Sequence, residues 1–175
     1  MKCTKAVQAG LGLEKTVLRP PGTTNAVLGN WCIHRFALEN RNAFLYMSEK
    51  TLLSFTLMEG RKIDSQTLAH CFFAGLQQLL EFEGIKPKII DQAMDQHTDM
   101  AFSYTESASA KGSLSKLVAD HRFFVANEGG MAQCDVGEII RRINRSPKKQ
   151  LDWLMPIEAS KLALGIPVRL KTPGK

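Results

Sequence analysis

The chain has 175 residues, 44% of them hydrophobic and 23% charged, with a formal net charge of +6. That length suits one domain with a sizeable core, and the composition is ordinary for a soluble globular protein. No apolar run approaches the roughly 18 residues that span a membrane, and Met1 to Gln8 lacks the apolar core of a secretory signal, so the expected location is cytoplasmic.

In chain order, Lys2 to Thr4 fits a short strand, and a helix from about Lys5 is expected to end near Gly12. Arg19-Pro20-Pro21-Gly22 predicts a loop, because prolines remove backbone donors that a helix or central strand needs. Leu28 to Met58 is the organising stretch. Two β-prone apolar runs flank the polar Glu39-Asn40-Arg41-Asn42, and a third run follows, which predicts a three-stranded meander. Alternation places Trp31, Ile33 and Arg35 on one face and Cys32, His34, Phe36 and Leu38 on the other. In the third strand, Leu53, Phe55 and Leu57 alternate with Ser54 and Thr56, which predicts one buried and one partly wet face. Phe44 and Tyr46 are expected to be left over on an outer face, as a contact surface for another protein.

Asp64 or Ser65 fits a helix N-cap, followed by Leu68, Phe72, Leu76, Leu79 and Leu80 at helical spacing and a stop at Gly84. This helix is expected to cover one face of the meander, with Phe72 in the core and Phe73 at its edge. Pro87 opens a second helix that runs to about Gln96 and buries Ile89, Ile90, Ala93 and Met94. Asp99 to Tyr104 predicts a short strand with Met100 and Phe102 inward, and Thr105 to Lys111 a surface loop. Ser113 is expected to cap a third helix ended by Gly129-Gly130, and Asp135 a fourth, through Ile139, Ile140 and Ile143. Pro147 breaks the chain, and Pro156 opens a last short helix stopped by Gly165.

Little in the pattern points to catalysis. Cys3, Cys32, Cys71 and Cys134 form no C-x-x-C pair and fit reduced thiols better than a zinc site or disulfides. The four histidines are isolated from one another. Asp91 and Asp95 share a helix face and, with His97 and Asp99, offer metal-ligating types, but that spacing is commonplace on a solvated helix. Ser113 and His121 lie two helical turns apart, too far for a direct hydrogen bond. No phosphate-cradling glycine loop is present. The sequence assigns no catalytic residue, cofactor or metal.

Charge is the better lead. Residues 135–175 hold nine Lys/Arg against four acids, five of the six net charges. Arg141, Arg142, Arg145, Lys148 and Lys149 cluster at the end of a predicted helix, with Trp153 nearby as a stacking surface for nucleic acid. The same cations also complement the negative end of the helix dipole.

An ordered set of short motifs resembles the family called domain of unknown function 6933. These are Cys3-Thr4-Lys5, Leu28-Gly29-Asn30-Trp31, Lys50-Thr51-Leu52-Leu53, Gly112-Ser113-Leu114, Asn144-x-x-Pro147 and Pro156-Ile157-Glu158-Ala159. Where the family carries an Asn-Arg-Ser run before the Gly-Ser segment, this chain has Ser107-Ala108-Ser109. The resemblance implies a compact α/β fold common in bacteria and brings no known activity.

The resulting expectation is a single domain of α+β type over residues 1–165: a small, mostly antiparallel sheet packed by about four helices. Residues 166–175 are expected to form a loosely held tail. Three roles stand beside it. They are a regulatory protein that binds another protein, a nucleic-acid binder using the basic C-terminal region, and an enzyme whose pocket lies between the sheet and the Gly112 helix, which a deep polar pocket holding Ser113 and His121 together would favour.

Overall fold

A computed structural model describes residues 1–12, 18, 20, 22, 24–60, 64–97, 101–105 and 107–168. The fold is α+β. Strands β1 (Lys2–Cys3), β2 (Trp31–Leu38), β3 (Arg41–Ser48), β4 (Ser54–Met58) and β5 (Ser103–Tyr104) form one sheet in the order β4-β3-β2-β1-β5. The meander β2-β3-β4 is antiparallel, as its alternation predicts, with Trp31 opposite Ser48 and Tyr46 opposite Phe55. Beyond it the sheet becomes parallel, because β1 pairs with both β2 and β5 in that sense. The result is a mixed sheet.

Six helices are present among the described residues: α1 (Lys5–Leu11), α2 (Ser65–Phe82), α3 (Pro87–Asp95), α4 (Ala108–Asn127), α5 (Val136–Asn144) and α6 (Pro156–Ala163). Local chemistry sets most of their ends. Asp64 accepts a hydrogen bond from the Thr67 amide, and Asp135 from those of Gly137 and Glu138, satisfying first-turn donors. Pro87 and Pro156 open α3 and α6, where a missing N–H costs nothing.

The helices cover both faces of the sheet. Trp31, Ile33, Phe44, Tyr46 and Phe55 pack with Leu68, Phe72 and Leu76 of α2, Ile90 of α3 and Ile157 of α6. On the opposite face, Cys32, Phe36, Leu45 and Met47 pack with Leu114, Leu117 and Val118 of α4 and Ile139 and Ile143 of α5. Two expectations fall here. Phe44 and Tyr46 are 1% and 0% exposed, so they offer no outer surface. Ser54 and Thr56 are buried too, because α4 and α5 cover the face that alternation left wet.

Further differences lie around α4. It starts at Ala108, so most of the expected loop after Thr105 is helix, and its cap is Ser107, whose hydroxyl accepts from the Ala110 amide. Ser113 is a buried mid-helix residue, not a cap. The strand expected over Asp99–Tyr104 is confined to Ser103–Tyr104; Asp99 and Met100 lie outside the described residues. At the other end, Ile166 packs on the core and its amide donates to Lys161 O, while residues 169–175 lie outside the described residues.

Candidate functional site: a cavity where two short strands stop

Strands β1 and β5 are two residues long, whereas β2, the meander strand next to β1, continues for eight. The register carries one residue past the paired strands: the Thr4 amide donates to Ile33 O and the Thr105 amide to Cys3 O. Pleating therefore sets Thr105, Thr4 and His34 in a row across three strands, on the face that α4 covers. Thr4 Oγ1 and His34 Nδ1 are 3.0 Å apart. Past this row β1 turns into α1, and the sheet drops away.

The step leaves a cavity of about 770 Å³. Its wall is made by Thr4, His34, Tyr104 and Thr105, its roof by Lys111, Leu114 and Ser115 of α4, and one side by Lys5, Ala6 and Gln8 of α1. Burial lowers the His34 pKa, with the Arg122 charge adding to the effect, so the imidazole is neutral near pH 7. Its ring stacks parallel to Phe36 at 6.5 Å between centroids. Thr105 is 93% buried, and its Oγ1 has no hydrogen-bond partner of ordinary geometry among the described residues; the Cys32 thiol, a weak acceptor, lies nearby. Lys5 and Lys111 stand exposed at the rim, and neither forms an ion pair with a described residue. No acid is among the described residues that line the cavity.

Two smaller cavities lie elsewhere among the described residues. One, of about 270 Å³, is lined by Ser113, Lys116, Asp120 and Lys148; the other, of about 380 Å³, lies between α2 and α5 over the β4 edge. Ser113 and His121 are not brought together. His121 is fully buried, with Nδ1 2.8 Å from Leu117 O and Nε2 2.9 Å from Thr56 Oγ1. A carbonyl can only accept, so Nδ1 carries the proton and the Thr56 hydroxyl donates to Nε2. Both nitrogens are occupied in a neutral ring whose pKa burial lowers.

The basic C-terminal cluster is largely paired. Arg141 contacts Glu138, Arg142 contacts Glu128 and Glu138, Arg145 lies 2.6 Å from the fully buried Glu83 carboxylate, and Lys148 lies 3.3 Å from Asp120. Arg141 also sits 5.7 Å over the Phe82 ring. Trp153 is 69% exposed and, like Asp152 before it, has a positive φ. Lys149 sits in the 3-10 turn just before. All four cysteines are free, and among the described residues no three of His, Cys, Asp or Glu gather as metal ligands. Asp91 and Asp95 lie on α3, while His97 packs edge-on against Trp31 and Phe72; Asp99 lies outside the described residues.

Sequence reasoning expected a pocket between the sheet and the Gly112 helix but did not name the residues that line this cavity, which come from a strand end, a segment expected to be a loop and an isolated histidine. The signal that was present is the Cys3-Thr4-Lys5 motif, two of whose residues line the cavity, joined by Leu114 of Gly112-Ser113-Leu114. No helix among the described residues is long and apolar enough to cross a membrane. No curated protein matches the chain. The motifs do carry the family: residues 1–159 match the domain of unknown function DUF6933, and the chain belongs to that family.

Proposed function

We propose that the protein acts by binding a small molecule in the cavity bounded by β1, β5, α1 and α4. The observation that carries this reading is the cavity itself. Its volume of about 770 Å³ falls within the roughly 300–1,000 Å³ of ordinary ligand sites, and it combines apolar walls with a few converging polar groups. It also lies at the ends of parallel strands, where α/β sheets commonly seat ligands. The reading stays with binding because, among the described residues, His34 in the wall has no nucleophile-and-acid arrangement around it. The test is a fragment mixture of mixed charge followed by amide chemical shifts. Shifts clustered on Thr4–Gln8, His34, Thr105 and Lys111–Ser115 support the reading, and shifts scattered elsewhere overturn it.

A second reading rests on Trp153. Two successive non-glycine residues with positive φ hold this indole out in water, and such backbone strain concentrates at functional sites. Beside Lys149 it could stack on a base. Salt-sensitive binding of single-stranded nucleic acid, abolished by Lys149→Ala with Trp153→Ala, supports it; absence of binding at low salt removes it. Arg145 is a poor probe for this purpose, because its loss strands the buried Glu83.

A further inference from the structure

Resting on the cavity reading above, we propose that the ligand is an anion: a small molecule whose phosphate or carboxylate is held by Lys5 and Lys111 at the rim and by the Thr105 hydroxyl within. Three independent features converge on this. Two lysines from separate elements, α1 and α4, line one cavity and have no ion-pair partner among the described residues. No described lining residue is acidic, which disfavours a cationic ligand. The Thr105 hydroxyl is buried with no partner better than the weakly accepting Cys32 thiol nearby, and buried polar atoms are seldom left so unless something absent completes them. A purely apolar occupant would leave that hydroxyl stranded; an oxyanion accepts its hydrogen bond. The neutral His34, already in contact with Thr4, adds a polar wall without a competing charge.

The ligand's size follows from the space. A phosphate or carboxylate alone would fill a small part of about 770 Å³, so the anionic group is the end of a larger molecule. Leu114, Ala6 and Leu18 supply apolar surface for the remainder.

The experiment is an amide chemical-shift titration of the full chain with four probes of similar size: phenyl phosphate, benzoate, benzyl alcohol and benzylamine. The expected result is that phenyl phosphate, benzoate or both shift the amides of Thr4, Lys5, Thr105 and Lys111, and that the neutral and cationic probes bind there more weakly. Lys5→Gln with Lys111→Gln is expected to weaken the better anion about tenfold, since each exposed charge contact is worth up to roughly fivefold. Both lysines are exposed, so the fold is untouched. Thr105→Val keeps the shape, removes the hydroxyl, and is expected to weaken binding severalfold without lowering the melting temperature. If benzyl alcohol or benzylamine binds these amides as well as the anions, the anion assignment falls and the cavity reading stands. If no probe shifts them, both fall. Anion binding that ignores the lysine pair marks an adventitious ion only and overturns the proposal. Binding unchanged in Thr105→Val removes the hydroxyl from the site.

Discussion

Asn144 closes the open edge of the sheet, and its removal is the sharpest test of how the fold is held. It is fully buried at the end of α5. Its Oδ1 accepts from the Ser54 amide at 2.9 Å, and its Nδ2 donates to Ser54 O at 2.7 Å and to Ile140 O at 3.0 Å. The side-chain amide thereby stands in for the next strand at the start of β4. In Asn144→Ala the Ser54 N–H and C=O, themselves buried, lose their partners. At about 1–3 kcal/mol per stranded group, with partial relaxation, the expected loss is about 3 kcal/mol. That is a large share of the roughly 5–15 kcal/mol typical of folded domains. Urea denaturation followed by circular dichroism measures it. Asn144→Asp separates hydrogen bonding from volume: at neutral pH its carboxylate faces two carbonyl oxygens and has lost the donor. Burial beside those oxygens should raise its pKa in the folded state, so stability should recover as pH falls and the proton restores a donor. A loss below about 1 kcal/mol in Asn144→Ala, or no acid recovery in Asn144→Asp, would refute the edge-capping account.

Other perturbations follow from the packing and the buried groups. Gly75 of α2 lies against Phe55, where a Cβ would sit 2.8 Å from ring Cδ2. The ring is stacked on Tyr46 at 4.8 Å, so Gly75→Ala should cost about 1–3 kcal/mol despite its better helix propensity, and equal or greater stability would contradict this contact. His121 has its folded pKa lowered, so the unfolded chain binds more protons below its ordinary value of about 6.5; stability should be flat above that pH and fall below it. His34 and His97 shift in the same direction, so His121→Gln should reduce the slope without abolishing it, as read by urea midpoints at pH 5 to 8. Burial pushes the Cys3 and Cys32 thiols up to about 12. A thiol reagent at pH 8 should therefore modify the half-buried Cys71 and Cys134 first, and mass spectrometry of the labelled peptides would show any other order. Arg145→Ala should cost about 1–3 kcal/mol, because it leaves the buried Glu83 carboxylate without its charged partner.

Local signals were legible wherever one short stretch decides the outcome. Proline at the start of α3 and α6, aspartate before α2 and α5, and the alternation of β2 to β4 each act within a few residues. The burial of Phe44 and Tyr46 was not legible, because both sheet faces of a meander read alike until one knows how many helices there are to cover them. Ser54 and Thr56 misled for the same reason. Their polarity reads as solvent exposure, yet Asn144 and His121, some 90 and 65 residues away, satisfy one backbone and one side chain. Lys111 and Thr105 fell in a polar stretch read as a loop, since Ser107-Ala108-Ser109 caps a helix no less well than it fills a turn. The cavity depends on β1 and β5 stopping together, a coincidence of two chain ends that no single segment encodes.

That coincidence has a kinetic side. Ser103 bonds to Met1 across 102 residues, while β2 to β4 are joined by turns of a few residues. Closing so long a loop for strands of two residues brings a late and small return, so the meander should assemble first and β1 and β5 dock last. The same region should open first when the native protein fluctuates, ahead of the meander. Anything bound by Lys5, Thr105 and Lys111 would join three segments far apart along the chain. It would act as a clasp, and the sign of it would be slowed hydrogen exchange at the Thr4 and Thr105 amides while the amides of β3 keep their rate.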